Sequence, residues 1–129
     1  MYVDASALVA ILMNEPERGS MLERISSAAA PVTSMVSFYE AMAAIGRYTS
    51  ERSGAAVIVE QFLESANIEI VDIGLELLDD LENAYRLYGK GSGHPAQLNM
   101  SDCFSYAAAK SRGVPLLYKG NDFAQTDLA

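Results

Sequence analysis

The first twelve residues, MYVDASALVAIL (Met1 to Leu12), decide how the rest of the chain is read. Met1 to Asp4 has the length and apolarity of a short buried strand, and Ala5 to Met13 is too densely apolar for a solvated helix. A strand that runs straight into a buried helix is the opening of an α/β layer fold. Asp4 sits at the junction, and a carboxylate costs free energy to bury unless it is paired, hydrogen-bonded or bound to a metal. It could cap the helix that follows or belong to a site.

Working outward, Asn14 reads as the N-cap of a second helix, with Glu17 three residues later able to reach back. Val32 to Ser34 is a second strand, feeding a helix from Met35 to Ile45 that is apolar nearly all round and interrupted only by Ser37 and Glu40. Ser53 to Ala66 predicts an amphipathic helix, and Ile68, Ile70 and Ile73 alternate as a strand should. Leu78, Leu81, Tyr85 and Tyr88 make the stripe of the next helix, with Gly89 placed to stop it. The glycine-rich loop GKGSGHPAQLN leads into a helix from Ser101 to Arg112, and VPLLY is a last strand before the turn KGND. Strand and helix thus alternate over a single domain, residues 1–129, which predicts a three-layer α/β/α sandwich around a mainly parallel sheet of four to five strands.

A chain of 129 residues buries enough surface for a core without staples. Its single cysteine, Cys103, cannot close an intrachain disulfide, so a reducing, cytoplasmic setting is expected. No stretch approaches the ~18 apolar residues of a membrane-spanning helix, so no membrane association is expected. The net charge of -8 argues against broad, nonspecific affinity for nucleic acid, which usually needs a basic surface.

Functional residues of open parallel sheets collect at the carboxyl ends of strands. Asp4 ends the first strand and Asp122 follows the last; Glu40 and Asp102 fall in early turns of the helices beginning near Met35 and Ser101. Capping explains Asp4 and Asp102, and turn chemistry explains Asp122, but Glu40 lies among Phe38, Tyr39, Ala41 and Met42, where a solvated face accounts for it poorly. One cause covers all four. Carboxylates sharing a pocket repel one another, and a hard divalent cation, Mg2+ or Mn2+, relieves the repulsion. Zinc fits poorly, because Cys103 and His94 are the lone cysteine and histidine and neither has ligand spacing with a partner. Such a cluster suits phosphodiester hydrolysis by a metal-activated water.

VDASALVAIL, the Glu within SFYEAMAAI, GKGSGHPAQLNMSDCFSYAAAK and PLLYKGNDFAQTDLA together resemble the PIN-domain ribonucleases, specifically the VapC toxins of prokaryotic toxin-antitoxin pairs. The resemblance runs in order over nearly the whole chain. It implies a Mg2+-dependent endoribonuclease, usually a homodimer, restrained by a cognate VapB-type antitoxin whose C-terminal segment lies across or near the acidic pocket. It maps the acidic quartet to Asp4, Glu40, Asp102 and a residue of the GND turn. Ser6 matches a small hydroxyl residue that supports the metal or its water, and Asn99 a polar position three before the third acid. Relatives often carry the fourth acid where this chain has Gly120 and Asn121. Asp122 is then the available carboxylate, with Asn121 beside it and Asp127 in reserve.

Lys90, His94 and Lys119 are candidate contacts to RNA phosphate from loops near the pocket, although a lone loop histidine is more often incidental. Two Mg2+ ions would bring -8 to about -4, which favours a structured RNA recognised through few contacts. A phosphoacceptor receiver domain would need an acidic pair after the first strand, and here Asp4 stands alone. A weakly catalytic PIN domain that binds RNA or antitoxin is the alternative.

Overall fold

A computed structural model describes all 129 residues. Four strands of two residues each form one sheet: β1 (Tyr2–Val3), β2 (Val32–Thr33), β3 (Glu69–Ile70) and β4 (Leu116–Leu117). Their order is β3-β2-β1-β4 and every pairing is parallel, with Tyr2 opposite both Val32 and Leu116. Six α-helices connect them: α1 (Ala5–Leu12), α2 (Arg18–Ser27), α3 (Met35–Thr49), α4 (Ala55–Ser65), α5 (Leu78–Tyr88) and α6 (Met100–Arg112).

The strand order dictates the layers. Parallel crossovers are right-handed, so a chain that steps β1 to β2 to β3 in one direction and then returns past β1 to reach β4 must lay its last helices on the opposite face. Accordingly Val3 and Leu117 point into one core with α1 to α4, while Tyr2, Val32 and Leu116 point into a second with α5 and α6. The three-layer sandwich is as expected. The direction reverses between β1 and β4, and the crevice at a reversal is where α/β sheets bind ligands.

Three boundaries differ from the sequence reading. Asn14 ends α1 rather than starting α2: it adopts the left-handed conformation (φ 55°), its N–H bonds Ile11 O at 3.2 Å, and Glu15 N–H bonds Ala10 O at 2.8 Å. That is a Schellman stop, and asparagine serves it as readily as it serves an N-cap. Helix α2 begins after Glu17, which makes no side-chain cap bond. The β3 strand is confined to Glu69–Ile70, both exposed at the sheet edge, so Ile73 falls outside it. Finally, α3 runs on to Thr49, a full turn beyond Ile45.

Candidate active site

Asp4 follows β1, where its N–H is held by Leu117 O of β4 at 2.9 Å. The side chain is 2% exposed and fully engaged. Oδ2 accepts from the backbone N–H and the hydroxyl of Ser6, at 2.9 and 2.6 Å, and Oδ1 accepts from the Ser105 hydroxyl of α6 at 2.6 Å. Asp4 is therefore both the N-cap of α1 and a member of the crevice, one oxygen serving each role. Ser6 Oγ in turn accepts from the backbone N–H of Lys119 at 3.0 Å, fastening the turn after β4 to the start of α1.

Asp102 is 8% exposed at the start of α6. It forms a capping box with Asn99: its N–H donates to Asn99 Oδ1 at 2.9 Å, and its Oδ2 accepts from Asn99 N–H at 3.1 Å. Desolvation pushes its carboxyl up to about 7, with the charges of Asp4, Glu40 and Asp122 adding to the effect and the Asn99 N–H opposing it. Glu40 reaches toward α6 from the second turn of α3, where the Ser101 hydroxyl donates to its Oε2 at 2.7 Å. Asp122 lies in an exposed turn entered through Gly120, whose φ of 104° only glycine adopts without strain.

Asp4, Glu40, Asp102 and Asp122 line one cavity of about 450 Å³, with Ser6, Asn99 and Lys119 in its wall. No three His, Cys, Asp or Glu side chains stand close enough to enclose an ion by themselves. The donors that line the cavity are nonetheless mostly carboxylate oxygens, which suit Mg2+ or Mn2+, ions that keep several waters rather than demanding an all-protein cage.

The other candidate residues are dispersed. Lys119 reaches the cavity wall, but its ammonium is bound by Glu15 and by Glu17 at 3.3 Å, which hold its pKa above the ordinary lysine value. Lys90 lines a separate apolar cleft between α5 and α6. His94 lies outside the cavity, where its Nδ1 accepts from Ala96 N–H at 3.1 Å and its ring packs edge-on against Tyr88. Asp127 accepts from the Tyr106 hydroxyl and pairs with Lys110 at 2.9 Å, and neither it nor Asn121 lines the cavity.

The sequence assigned no role in the site to Glu15, Arg47, Ser101 or Ser105. Arg47 lies seven residues from Glu40, two turns along the same face of α3, and lines the cavity without forming an ion pair with it. Ser105 lies three residues beyond Asp102, on the same face of α6, so helical spacing was the available signal.

The sequence profile described as the PIN domain matches residues 1–128. This chain belongs to the PIN domain family. Its curated relatives place it on the VapC branch. It is 42% identical to a VapC ribonuclease of Rhizobium meliloti, over 98% of both chains, and 38% identical to ribonuclease VapC30 of Mycobacterium tuberculosis, over all of this chain and 96% of that one. The crystal structure of Mycobacterium tuberculosis VapC20, described as a toxin cleaving the sarcin-ricin loop, superimposes with a TM-score of 0.76 at 17% identity, covering 99% of this PIN domain and 95% of VapC20. At that identity the likeness is one of fold.

Proposed function

We propose that this PIN domain is an endoribonuclease, the toxin of a VapBC pair, and that it hydrolyses RNA phosphodiester bonds in the cavity ringed by Asp4, Glu40, Asp102 and Asp122. The observation that carries this reading is geometric: Asp4, Glu40, Asp102 and Asp122 line one cavity at the reversal point of the sheet. These four acids would hold Mg2+, with Mn2+ as a substitute. When bound, the cation supplies an activated water and neutralises charge at the cleaved phosphate.

The chain's own residues set the stage for that chemistry. Ser6 and Ser105 fix both oxygens of Asp4, Asn99 fixes Asp102, and Ser101 fixes Glu40. Arg47 is the cavity residue whose cation is left to meet phosphate, since Lys119 is occupied by Glu15 and Glu17. A VapB-type antitoxin is the expected partner and a homodimer the expected assembly. No helix is long and apolar enough to cross a membrane, and the lone, buried Cys103 accords with a cytoplasmic setting.

The test is cleavage of total cellular RNA with Mg2+, with EDTA, and by Asp4→Asn and Asp102→Asn. Cleavage with Mg2+ alone, lost in both variants, is expected; metal-dependent cleavage that survives both substitutions overturns the assignment. The lack of a three-carboxylate cage favours one other reading, a PIN domain that binds RNA or antitoxin without cutting. A folded protein that binds RNA and cleaves none would select it.

A further inference from the structure

Behind Asp4 lies a row of buried hydroxyls that do not themselves line the cavity. Ser105 Oγ, which donates to Asp4 Oδ1, lies 3.2 Å from Ser37 Oγ; Ser37 Oγ lies 2.9 Å from the Tyr2 hydroxyl; and that hydroxyl lies 2.7 Å from Ser34 Oγ. Tyr2, Ser34, Ser37 and Ser105 are each at most 1% exposed. They come from β1, the start of α3 and the middle of α6.

The direction of every bond follows from one boundary condition. A carboxylate only accepts, so Ser105 spends its single proton on Asp4. The oxygen of Ser105 is then an acceptor, so Ser37 donates to it; Tyr2 must donate to Ser37, and Ser34 to Tyr2. Reversal would require a partner for the Ser34 proton, and Ser34 has no other side-chain hydrogen bond. Ser34 also occupies the N-cap of α3 yet makes no cap bond, so its hydroxyl is diverted from the helix to the row. Four buried dipoles thus point the same way, toward Asp4, and chains of hydrogen bonds polarise one another in a low-dielectric interior.

We infer that Ser34, Tyr2, Ser37 and Ser105 form a hydroxyl relay that positions the Asp4 carboxylate and sets how strongly its Oδ1 attracts a divalent cation in the cavity. The four are positioning residues, acting through Ser105 on Asp4. With Ser6 holding Oδ2 and Ser105 holding Oδ1, the carboxylate has one fixed rotation, and outer partners of this kind govern cation affinity by orienting the ligand. The inference rests on the proposed cation site for its consequence, and on the hydrogen bonds alone for its mechanism.

The experiment has two arms. In the first, the carboxyl carbon of Asp4 is observed by NMR in the chelator-treated protein, and Tyr2→Phe is expected to move it although Tyr2 does not touch Asp4. In the second, Mn2+ is titrated against wild type, Ser105→Ala, Tyr2→Phe and the double variant. Ser105→Ala is expected to weaken Mn2+ about 10-fold, Tyr2→Phe to weaken it less, and the double variant to match Ser105→Ala alone, because the signal passes through Ser105. Ser105→Thr, which keeps the hydroxyl, should retain most of the affinity. Should Tyr2→Phe fail to fold, Ser37→Ala interrupts the same link. Stability losses with an unmoved Asp4 resonance and unmoved Mn2+ affinity reduce the row to structural packing and overturn the relay, as do independent, multiplying effects in the double variant. A wild-type protein that binds no Mn2+ while its Asp4 resonance still responds to Tyr2→Phe would overturn the cation reading and leave the positioning intact; an unresponsive resonance would overturn the relay with it.

Discussion

Asp4 and Asp122 each follow a strand at the same end of the sheet, two strands that are neighbours, yet they are held in opposite ways. Asp4 is buried, with both oxygens taken by hydroxyls and a backbone N–H, and its main chain is tied to β4. Asp122 is exposed in a turn that depends on a left-handed glycine, and its side chain has no partner. One side of the cavity is preorganised and the other is left to be ordered by whatever enters it. Preorganised charge costs nothing to arrange at the moment of reaction, whereas a group that must be ordered then gives back part of what it contributes.

That contrast is broken most readily at the pinned side. Asp4→Asn and Asp102→Asn are each expected to lower RNA cleavage by about 10²- to 10³-fold, and Asp122→Asn by only about 10-fold, in parallel initial-rate assays. Equal losses at Asp4 and Asp122 would erase the distinction. Stability should respond in the reverse sense. With metal chelated, the Asp102 carboxyl binds its proton more tightly folded than unfolded, so between pH 4 and about 7 the folded state holds the extra proton and stability falls as pH rises through that window. Asp102→Asn removes this slope and is expected to be the more stable protein at pH 8, by on the order of 2 kcal/mol in denaturant titrations. Mg2+ added at about 100 times its dissociation constant should stabilise wild type by about 2.7 kcal/mol and leave Asp4→Asn little changed, read as a shift in melting temperature.

The smallest effect is expected farthest from the cavity. Asp127 is half exposed and its pairing with Lys110, the largest cause, together with the Tyr106 hydroxyl, holds its carboxyl below the usual carboxylate range. The stability it contributes is present above the ordinary carboxylate pKa and fades as pH falls through its lowered folded value. Solvent screening keeps that contribution to about 0.5 kcal/mol, so Asp127→Asn should cost that much at pH 7 and leave cleavage unchanged. A large activity loss there would promote Asp127 from reserve to fourth acid in place of Asp122.

Much of this arrangement was legible in the sequence because it rests on local rules. Asp4 beside Ser6, and Asn99 three residues before Asp102, are helix-start patterns, and both are realised as caps. Glu40 stood out because its sequence neighbours are apolar, although α3 does have an exposed face, with Tyr39 beside it 65% exposed. The misreadings have equally local causes: asparagine both starts and stops helices, and Asn14 does the second. What remained hidden depends on contacts between distant parts of the chain. Ser105 reads as filler in an alanine-rich helix, and Ser37 as a flaw in an apolar one, until the fold brings Ser105 against Asp4 and Ser37 against Tyr2. Nor could sequence spacing show that Lys119 is held by Glu15 and Glu17, or that His94 Nδ1 accepts from its own loop.

The bond from Lys119 N–H to Ser6 joins positions 113 residues apart, and that from Ser105 to Asp4 joins positions 101 apart. Contacts of such separation form late, and only once the intervening chain exists. A nascent chain extended past Asp102 but not yet to Leu116 carries three of the four acids, but neither the β4 strand nor the turn after it that complete the cavity. The order of synthesis therefore delays assembly of the cavity until the chain has been made past Asp122.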